Sequence, residues 1–115
     1  MRLRSDIWIA AYLRRCGVEG ANAVLRRRGA AEAGAIFVKV DHLNGRATLY
    51  GPAPQSAAAN LQPGIERIFA RAHHGDDIES SAAEERLTRE IAFDPDLWIV
   101  EVENGPPGAW LDLTP

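Results

Sequence analysis

Two apolar runs joined by an Asn-Gly pair place the strongest constraint on how this chain folds. The segment AIFVKVDHLNGRATLYG is rich in β-branched and aromatic residues on both sides of Asn44-Gly45, a dipeptide that readily supplies the positive φ angles of a type I′ turn. A two-residue loop pairs Val40 with Leu49 and Lys39 with Tyr50. The apolar residues then share one face: Ile36, Val38, Val40, Ala47 and Leu49. We therefore predict a β-hairpin with one buried face.

An amphipathic helix is predicted before this hairpin, at about residues 5–16. Ser5 and Asp6 suit its start, because a Ser side chain caps free amides and an acidic residue favours the positive end of the helix dipole. Gly17 is the expected stop. Apolar residues recur at helical spacing in between, namely Ile9, Tyr12, Leu13 and Cys16. Cys16 is therefore predicted to be a small buried hydrophobic residue rather than a nucleophile.

A second helix and a further strand are predicted around the sequence FDPDLWIVEVE. Residues 81–84, Ser-Ala-Ala-Glu, match a capping box that starts a helix at about residues 82–93. Pro95 ends this helix, and Asp94 and Asp96 are then turn residues whose side chains hold backbone amides. The alternative is a carboxylate-based site. In the strand that follows, one face carries Trp98, Val100 and Val102, and the other carries Leu97, Ile99, Glu101 and Glu103.

Other segments complete the architecture. Residues 21–28 are predicted as a strand, residues 51–64 as a connection within one domain, and the region around Trp110 as a short last strand. The spacing in residues 65–73 is compatible with a helix and with a strand. We expect one α+β domain over residues 1–115, with a mostly antiparallel sheet of about four to six strands and two helices packed against it.

Charge is distributed unevenly along the chain. The first 28 residues hold seven Arg against two acidic residues, whereas residues 76–115 hold eleven acidic residues against two Arg. A basic surface for nucleic acid or a partner would use Arg14, Arg15, Arg26, Arg27 and Arg28. The sequence pI of about 5.6 lies below the range of typical nucleic-acid-binding domains. Pairing of these arginines with the acidic C-terminal third is the favoured explanation.

Recognisable catalytic and ligand-binding motifs are absent from the sequence. HHGDD at residues 73–77 groups potential metal ligands, but adjacent His side chains diverge on a strand or a helix, so a solvated turn is favoured. His42 is expected to be a partly buried structural residue. No catalytic, cofactor-binding or metal-binding residue is assigned, and no cofactor is expected. The single Cys16, the lack of an export signal and the lack of a membrane span indicate the cytoplasm.

Three segments together resemble a known family. RLRSDIWIAAYLRR, AGAIFVKVDHLNGRATLYGP and FDPDLWIVEVE are similar to segments of the alphaproteobacterial domain-of-unknown-function family 1491, and the similarity extends over nearly the full length. The resemblance implies a cytoplasmic bacterial setting and a strand at about residues 65–73. It implies no activity, so no functional residue follows from it.

The function is not determined by these residues. Our leading expectation is a small non-catalytic protein-interaction or regulatory module, with an unknown protein partner or self-association through a sheet edge. The first alternative is a nucleic-acid-associated protein that uses the arginines above, although nucleic acid is not the favoured partner. The second is a small-molecule enzyme with Asp94, Asp96 and a histidine as its acid/base groups. No membrane partner is expected.

Overall fold

The computed structural model of the chain describes residues 3–54 and 67–114. These residues form two helices and six strands, in agreement with the predicted α+β class. In chain order they are α1 Ser5–Val18, β1 Asn22–Arg27, β2 Ile36–Asp41, β3 Arg46–Pro52, β4 Phe69–Arg71, β5 Ile78–Glu79, α2 Ser80–Phe93 and β6 Trp98–Glu103. The sheet order is β1-β6-β2-β3-β4, and β5 also pairs with β3. Only the central pair, β2 with β6, is parallel within this described sheet.

One helix covers each face of the sheet. The first face packs against α1, whose Ile9, Tyr12 and Cys16 are buried in the larger core cluster with Val38 and Val100. The second face packs against α2, and its cluster consists of Phe37, Leu49, Leu87, Leu97 and Ile99. β2 and β3 are therefore buried on both sides along most of their length. The predicted alternation of β6 is confirmed, since Trp98 and Val100 join the first cluster and Leu97 and Ile99 the second.

The hairpin forms, but the predicted register was wrong by one residue. Val40 pairs with Thr48 and Lys39 pairs with Leu49. Thr48 and Tyr50 consequently lie on the same face as Val40, whereas Leu49 lies on the opposite face with Lys39. The alternation of polar and apolar residues was not informative here, because both faces of these two strands are covered by other parts of the chain.

A three-residue loop sets the observed register. The His42 N–H donates to the Arg46 carbonyl oxygen at 3.0 Å, which leaves residues 43–45 as the loop. The Asp41 carboxylate accepts the Leu43 N–H at 2.8 Å, and the Asn44 side chain accepts the Arg46 N–H at 3.0 Å. These two side-chain hydrogen bonds satisfy the N–H groups of Leu43 and Arg46. In a two-residue turn, the same N–H groups would instead form hydrogen bonds between the two strands.

Both helices are present, but neither is capped as predicted. α1 continues to Val18, and Gly20, with φ of 81°, follows its end. The Ala21 N–H then donates to the Cys16 carbonyl oxygen at 2.9 Å, as in a Schellman motif. The Ser5 hydroxyl donates to the Gly34 carbonyl oxygen at 2.6 Å instead of capping the helix.

At the start of α2 the predicted capping box does not form. The helix begins at Ser80, and its N-cap, Glu79, makes no capping side-chain hydrogen bond. Glu84 reaches across to Arg26 and Lys39 rather than back to the helix start. A charged partner at short range competes successfully with a local amide for this carboxylate.

The joint between α2 and β6 agrees with the turn interpretation of FDPDLW. The helix ends at Phe93, and Asp94 has an extended conformation with φ of −136°. The Asp94 carboxylate accepts the Asp96 N–H at 3.0 Å. The Asp94 side chain thus holds a backbone amide in this turn, as the sequence predicted. For Asp96 the prediction was wrong within the described residues, because Asp96 contributes its backbone N–H and not its side chain.

Three further predictions concern segments after the hairpin. A strand was expected at residues 65–73, and β4 occupies Phe69–Arg71 of that span. The predicted connection at 51–64 lies mostly outside the described residues. The short last strand predicted around Trp110 was wrong: Trp110 lies in a turn and packs partly buried against the larger core cluster, and only Leu113 forms an isolated parallel bridge, with Phe69. We call residues 104–114 the C-terminal segment.

Candidate functional site

β1 forms one edge of the sheet in the described structure. β6 is the one described neighbour of β1, and the two strands pair from Asn22 to Arg27 with a register shift after Leu25. Alternate residues, including Leu25, pack toward α1, whereas Val24 faces the other side with 52% of its surface exposed. An outer strand of this kind presents unpaired backbone N–H and C=O groups to another chain.

The opposite edge of the sheet is covered at Phe69. The Phe69 N–H donates to the Asp112 carbonyl oxygen at 2.7 Å, and the Thr114 N–H donates to the Phe69 carbonyl oxygen at 2.9 Å. The C-terminal segment therefore takes up backbone groups that β4 would otherwise present there.

Arg26 belongs to a four-residue ion cluster on the α2 side of the sheet. Its guanidinium lies 2.7 Å from the Glu84 carboxylate and 2.9 Å from that of Glu101. The buried Lys39 ammonium lies 2.6 Å from Glu84. Hydrogen bonding to Arg26, followed by that to Lys39, lowers the pKa of Glu84 to about 2, and the same pairing raises the pKa of Arg26. Arg26 thus pairs with residues of the acidic C-terminal third, as the sequence favoured.

The remaining predicted site arginines do not join Arg26 in one surface. Arg27 donates to the carbonyl oxygens of Pro95 and Leu97. The Arg28 guanidinium lies 5.4 Å from the centre of the Trp98 ring, a cation–π contact. Arg14 and Arg15 lie exposed on α1, across the sheet from the Arg26 cluster, and Arg15 approaches Glu19 at 3.9 Å. The five arginines therefore lie on opposite sides of the sheet.

A pocket of about 920 Å³ lies between β3, β4 and the C-terminal segment. We call it the C-terminal pocket. Val40, Thr48 and Tyr50 contribute from the sheet, and Arg71 lies beside them. Sequence reasoning missed this site, because the wrong hairpin register put Thr48 and Tyr50 on the opposite face from Val40. A prediction of a three-residue loop for this hairpin would have placed Val40, Thr48 and Tyr50 on the same face.

A chain of hydrogen bonds orients His42 at the rim of the pocket. The Thr48 hydroxyl donates to the Asp76 carbonyl oxygen at 2.7 Å, so the His42 Nε2–H must donate to Thr48 across their 2.8 Å contact. The Thr48 proton is directed to a backbone carbonyl and not to the imidazole. This arrangement holds His42 in place, as expected for a structural histidine, and does not activate Thr48 as a nucleophile.

His73 serves the sheet rather than a metal. Its Nε2 accepts the Leu49 N–H at 3.1 Å, which assigns the proton to Nδ1, 3.0 Å from the His74 carbonyl oxygen. The two aspartates of HHGDD pair with arginines, Asp76 with Arg71 at 2.6 Å and Asp77 with Arg46 at 2.8 Å. Within residues 3–54 and 67–114, no group of three or more His, Cys, Asp or Glu side chains is arranged to hold a metal ion.

The acid/base group proposed for an enzyme is not assembled in the described structure. The Asp94 carboxylate is engaged with the Asp96 N–H. The hydrogen bonds of His42 and His73 run to Thr48, Leu49 and His74. Across the part of the chain that the structure describes, no histidine hydrogen-bonds to either aspartate.

The helices described here are too short and too polar to cross a membrane.

These features define a small α+β protein in which an open mixed sheet carries one helix on each face. The family model for proteins of unknown function DUF1491 matches residues 3–110, and the chain belongs to this family. The resemblance seen in the sequence is thereby confirmed. No curated protein matches the chain.

Solved structures from two bacteria are similar over nearly the whole chain. A protein from A. tumefaciens, known from a solution structure, shares 41% identity at a TM-score of 0.79, covering 98% of this chain and 95% of that one. A crystal structure of a DUF1491 family protein from Caulobacter crescentus CB15 shares 32% identity at a TM-score of 0.75, covering 98% of both chains. An NMR structure of a DUF1491 family protein from the same organism shares 31% identity at a TM-score of 0.73, covering 98% and 97%.

Proposed function

We propose that the protein is a non-catalytic interaction module that pairs with a second copy of itself through the free edge of β1. The observation that carries this proposal is a six-residue outer strand with one described neighbour and a half-exposed Val24. Antiparallel pairing of two β1 strands would join two sheets into one across a two-fold axis. The regular part of the edge is residues 22–25, because the register shifts beyond Leu25.

Exposed apolar residues near this edge support the pairing. Val24 lies on the α2 side of the sheet, and Val18, 79% exposed, ends the helix on the other side just before β1. A second copy would remove apolar surface from water on both faces of the joined sheet. Val24 lies on the edge strand itself, and Val18 precedes that strand by four residues, so both would lie near a contact made through β1.

The distribution of charge along β1 favours the antiparallel arrangement. Glu19 precedes the strand, and Glu103 pairs with Asn22 at its start, whereas Arg27 and Arg28 stand at its end. Antiparallel pairing brings the acidic end of one copy opposite the basic end of the other. Of the predicted binding arginines, Arg27 and Arg28 would then help to orient a protein contact rather than to bind nucleic acid.

The proposed setting is the cytoplasm. Cys16 is a free cysteine that is fully buried beneath α1. Burial raises the pKa of its thiol, so the side chain remains a protonated, unreactive part of the core. A core built around a reduced thiol suits a reducing compartment.

Sedimentation equilibrium over a range of protein concentrations tests the proposed dimer. The wild-type protein should shift from monomer to dimer, and Val24→Lys should weaken association by about tenfold or more, because a charge on an edge strand opposes pairing. Since Val24 is half exposed, folding should be little affected. Raising the salt concentration should also weaken the dimer.

Ile7→Lys is the matched control, because Ile7 is a β-branched residue with 50% exposure on α1. It should leave association unchanged. A wild-type protein that stays monomeric at the highest concentration would overturn the proposal, and so would equal effects of the two substitutions. Nuclease-sensitive association that is lost on charge reversal of Arg14 and Arg15 would instead favour the nucleic-acid alternative.

A further inference from the structure

Tyr50 places an unused hydrogen-bond donor at the C-terminal pocket. The residue is only 6% exposed and lines the pocket. Its hydroxyl oxygen accepts the Gly108 N–H at 3.2 Å, and within the described residues no group accepts the hydroxyl hydrogen. The hydroxyl hydrogen is therefore available to a group that enters the pocket. A ligand that carries an acceptor would satisfy this donor.

Arg71 supplies a second donor beside Tyr50. The two residues are direct cross-strand partners on β3 and β4, so their side chains leave the sheet next to each other on one face. Nη1 of Arg71 donates to the Asp76 carboxylate at 2.6 Å. The Nε and Nη2 groups make no hydrogen bond to the residues that the structure describes. This edge of the guanidinium has the two-pronged geometry that matches a carboxylate.

Apolar side chains form another part of the same pocket. Val40 lies on the sheet side, and Pro106 and Leu113 belong to the C-terminal segment. The pocket volume of about 920 Å³ lies within the range of about 300–1,000 Å³ typical of small-molecule sites. The ligand that fits is one with an acceptor-rich anionic end and an apolar body.

We propose that the C-terminal pocket binds a small organic carboxylate, with Arg71 and Tyr50 donating to the carboxylate and the apolar residues contacting the body. Asp76 modulates this site. Its side chain is 99% exposed, so its pair with Arg71 contributes little to stability, while its negative charge opposes a second carboxylate nearby. The site would be independent of the β1 edge, which lies at the other side of the sheet.

Titration of the ¹⁵N-labelled full chain with benzoate tests the proposal, since benzoate combines a carboxylate with an apolar ring. Saturable shifts are expected for amides around the pocket, including Gly108 and Arg71, with a millimolar dissociation constant. Benzamide, the neutral analogue, should bind at least about tenfold more weakly, because it lacks the charge that strengthens hydrogen bonds from arginine.

Substitutions in the pocket should change benzoate affinity in opposite directions. Arg71→Gln should weaken it by about tenfold and Tyr50→Phe by about fivefold, as expected for losing a charged and a neutral hydrogen bond. Asp76→Asn should strengthen it by about threefold, because a competing negative charge is removed. Arg89→Gln is the matched control for Arg71→Gln, since Arg89 is an exposed arginine of α2 that does not line this pocket.

A structural readout separates loss of binding from loss of fold. In Tyr50→Phe the amide resonances of Phe69 and Thr114 should be unchanged, because the hydrogen bonds of these two amides hold the C-terminal segment on β4 independently of Tyr50. Absence of saturable shifts in the wild-type protein would overturn the proposal, as would equal binding of benzamide. Inorganic phosphate that binds as tightly as benzoate would overturn the carboxylate assignment in favour of a general oxyanion site. Asp76→Asn with unchanged affinity would contradict the role given to Asp76.

Discussion

At the scale of single residues, the loop between β1 and β2 depends on two glycines that lie against the backbone before β6. A β-carbon on Gly29 or Gly34 would collide with the Asp96 carbonyl oxygen, and on Gly34 it would also come within 2.9 Å of the Trp98 ring. The Ala30 N–H donates to that same carbonyl oxygen at 2.8 Å, and the Trp98 indole donates back to Ala30 at 2.8 Å. Close backbone approach therefore fixes this loop.

Gly34→Ala should destabilise the protein by about 1–3 kcal/mol, because the added methyl overpacks against a backbone carbonyl that has little room to move. Urea unfolding measures the loss. Gly17→Ala is the control, since no atom lies within 4 Å of its added carbon, and in a helix this change should be neutral or stabilising by up to about 1 kcal/mol. Equal stabilities of the two variants would contradict the packing argument.

Some residue roles could be read from the sequence and others could not. Asp94 and Cys16 were predictable, because a proline and a helical stripe determine their environments locally. The roles of Thr48 and Tyr50 were not predictable. The face on which they lie depends on the register of the hairpin, and this register is set by the hydrogen bonds of amides in and beside the loop. The contacts of Gly34 join segments about sixty residues apart, which no local pattern encodes.

At the scale of elements, the ion cluster around Glu84 ties α2 to three strands of the sheet. Glu84 binds Arg26 of β1 and Lys39 of β2, and both of these approach Glu101 of β6. Lys39 is almost fully buried, so its charge requires a nearby carboxylate. The sequence offered Glu84 as a capping residue, and the structure uses it instead to dock the helix. The partner of Glu84 depends on where the sheet places Arg26 and Lys39, so the local spacing of residues could not predict it.

The pH dependence of stability should report this cluster. The folded-state pKa of Glu84, about 2, lies below its unfolded value near 4.5, so ionised Glu84 favours the fold. Its contribution is fully present above about pH 4.5 and is lost as the pH falls toward 2. Glu84→Gln should therefore lower stability at neutral pH, by about 1 kcal/mol because solvent screens this half-exposed group. The difference from the wild type should shrink in acid.

Thermal unfolding of both proteins across this pH range is the measurement. Glu85→Gln, a change at an exposed neighbour on the same helix, is the matched control and should leave the neutral-pH stability within about 0.5 kcal/mol. If Glu84→Gln lost the same stability at every pH, the effect would come from packing of α2 and not from ionisation of Glu84.

At the scale of the whole molecule, a buried hydrogen bond joins α1 to the C-terminal segment. Tyr12 of α1 donates to the carbonyl oxygen of Ala109 at 2.9 Å, and both residues are buried. Burial raises the pKa of Tyr12, so the hydroxyl keeps its proton as a donor. The α+β class followed from local patterns, but this closure across the fold required the three-dimensional structure, because the C-terminal segment has no regular period.

Tyr12→Phe should lower the free energy of unfolding by about 1–2 kcal/mol, because the buried Ala109 carbonyl loses its donor while the ring stays in place. Urea unfolding gives both the midpoint and the slope. A lower midpoint with an unchanged slope would mean that the C-terminal segment remains docked but is held less strongly. A smaller slope would mean that the segment has detached from the native core. An unchanged midpoint would show that the contact between the chain ends does not contribute to stability.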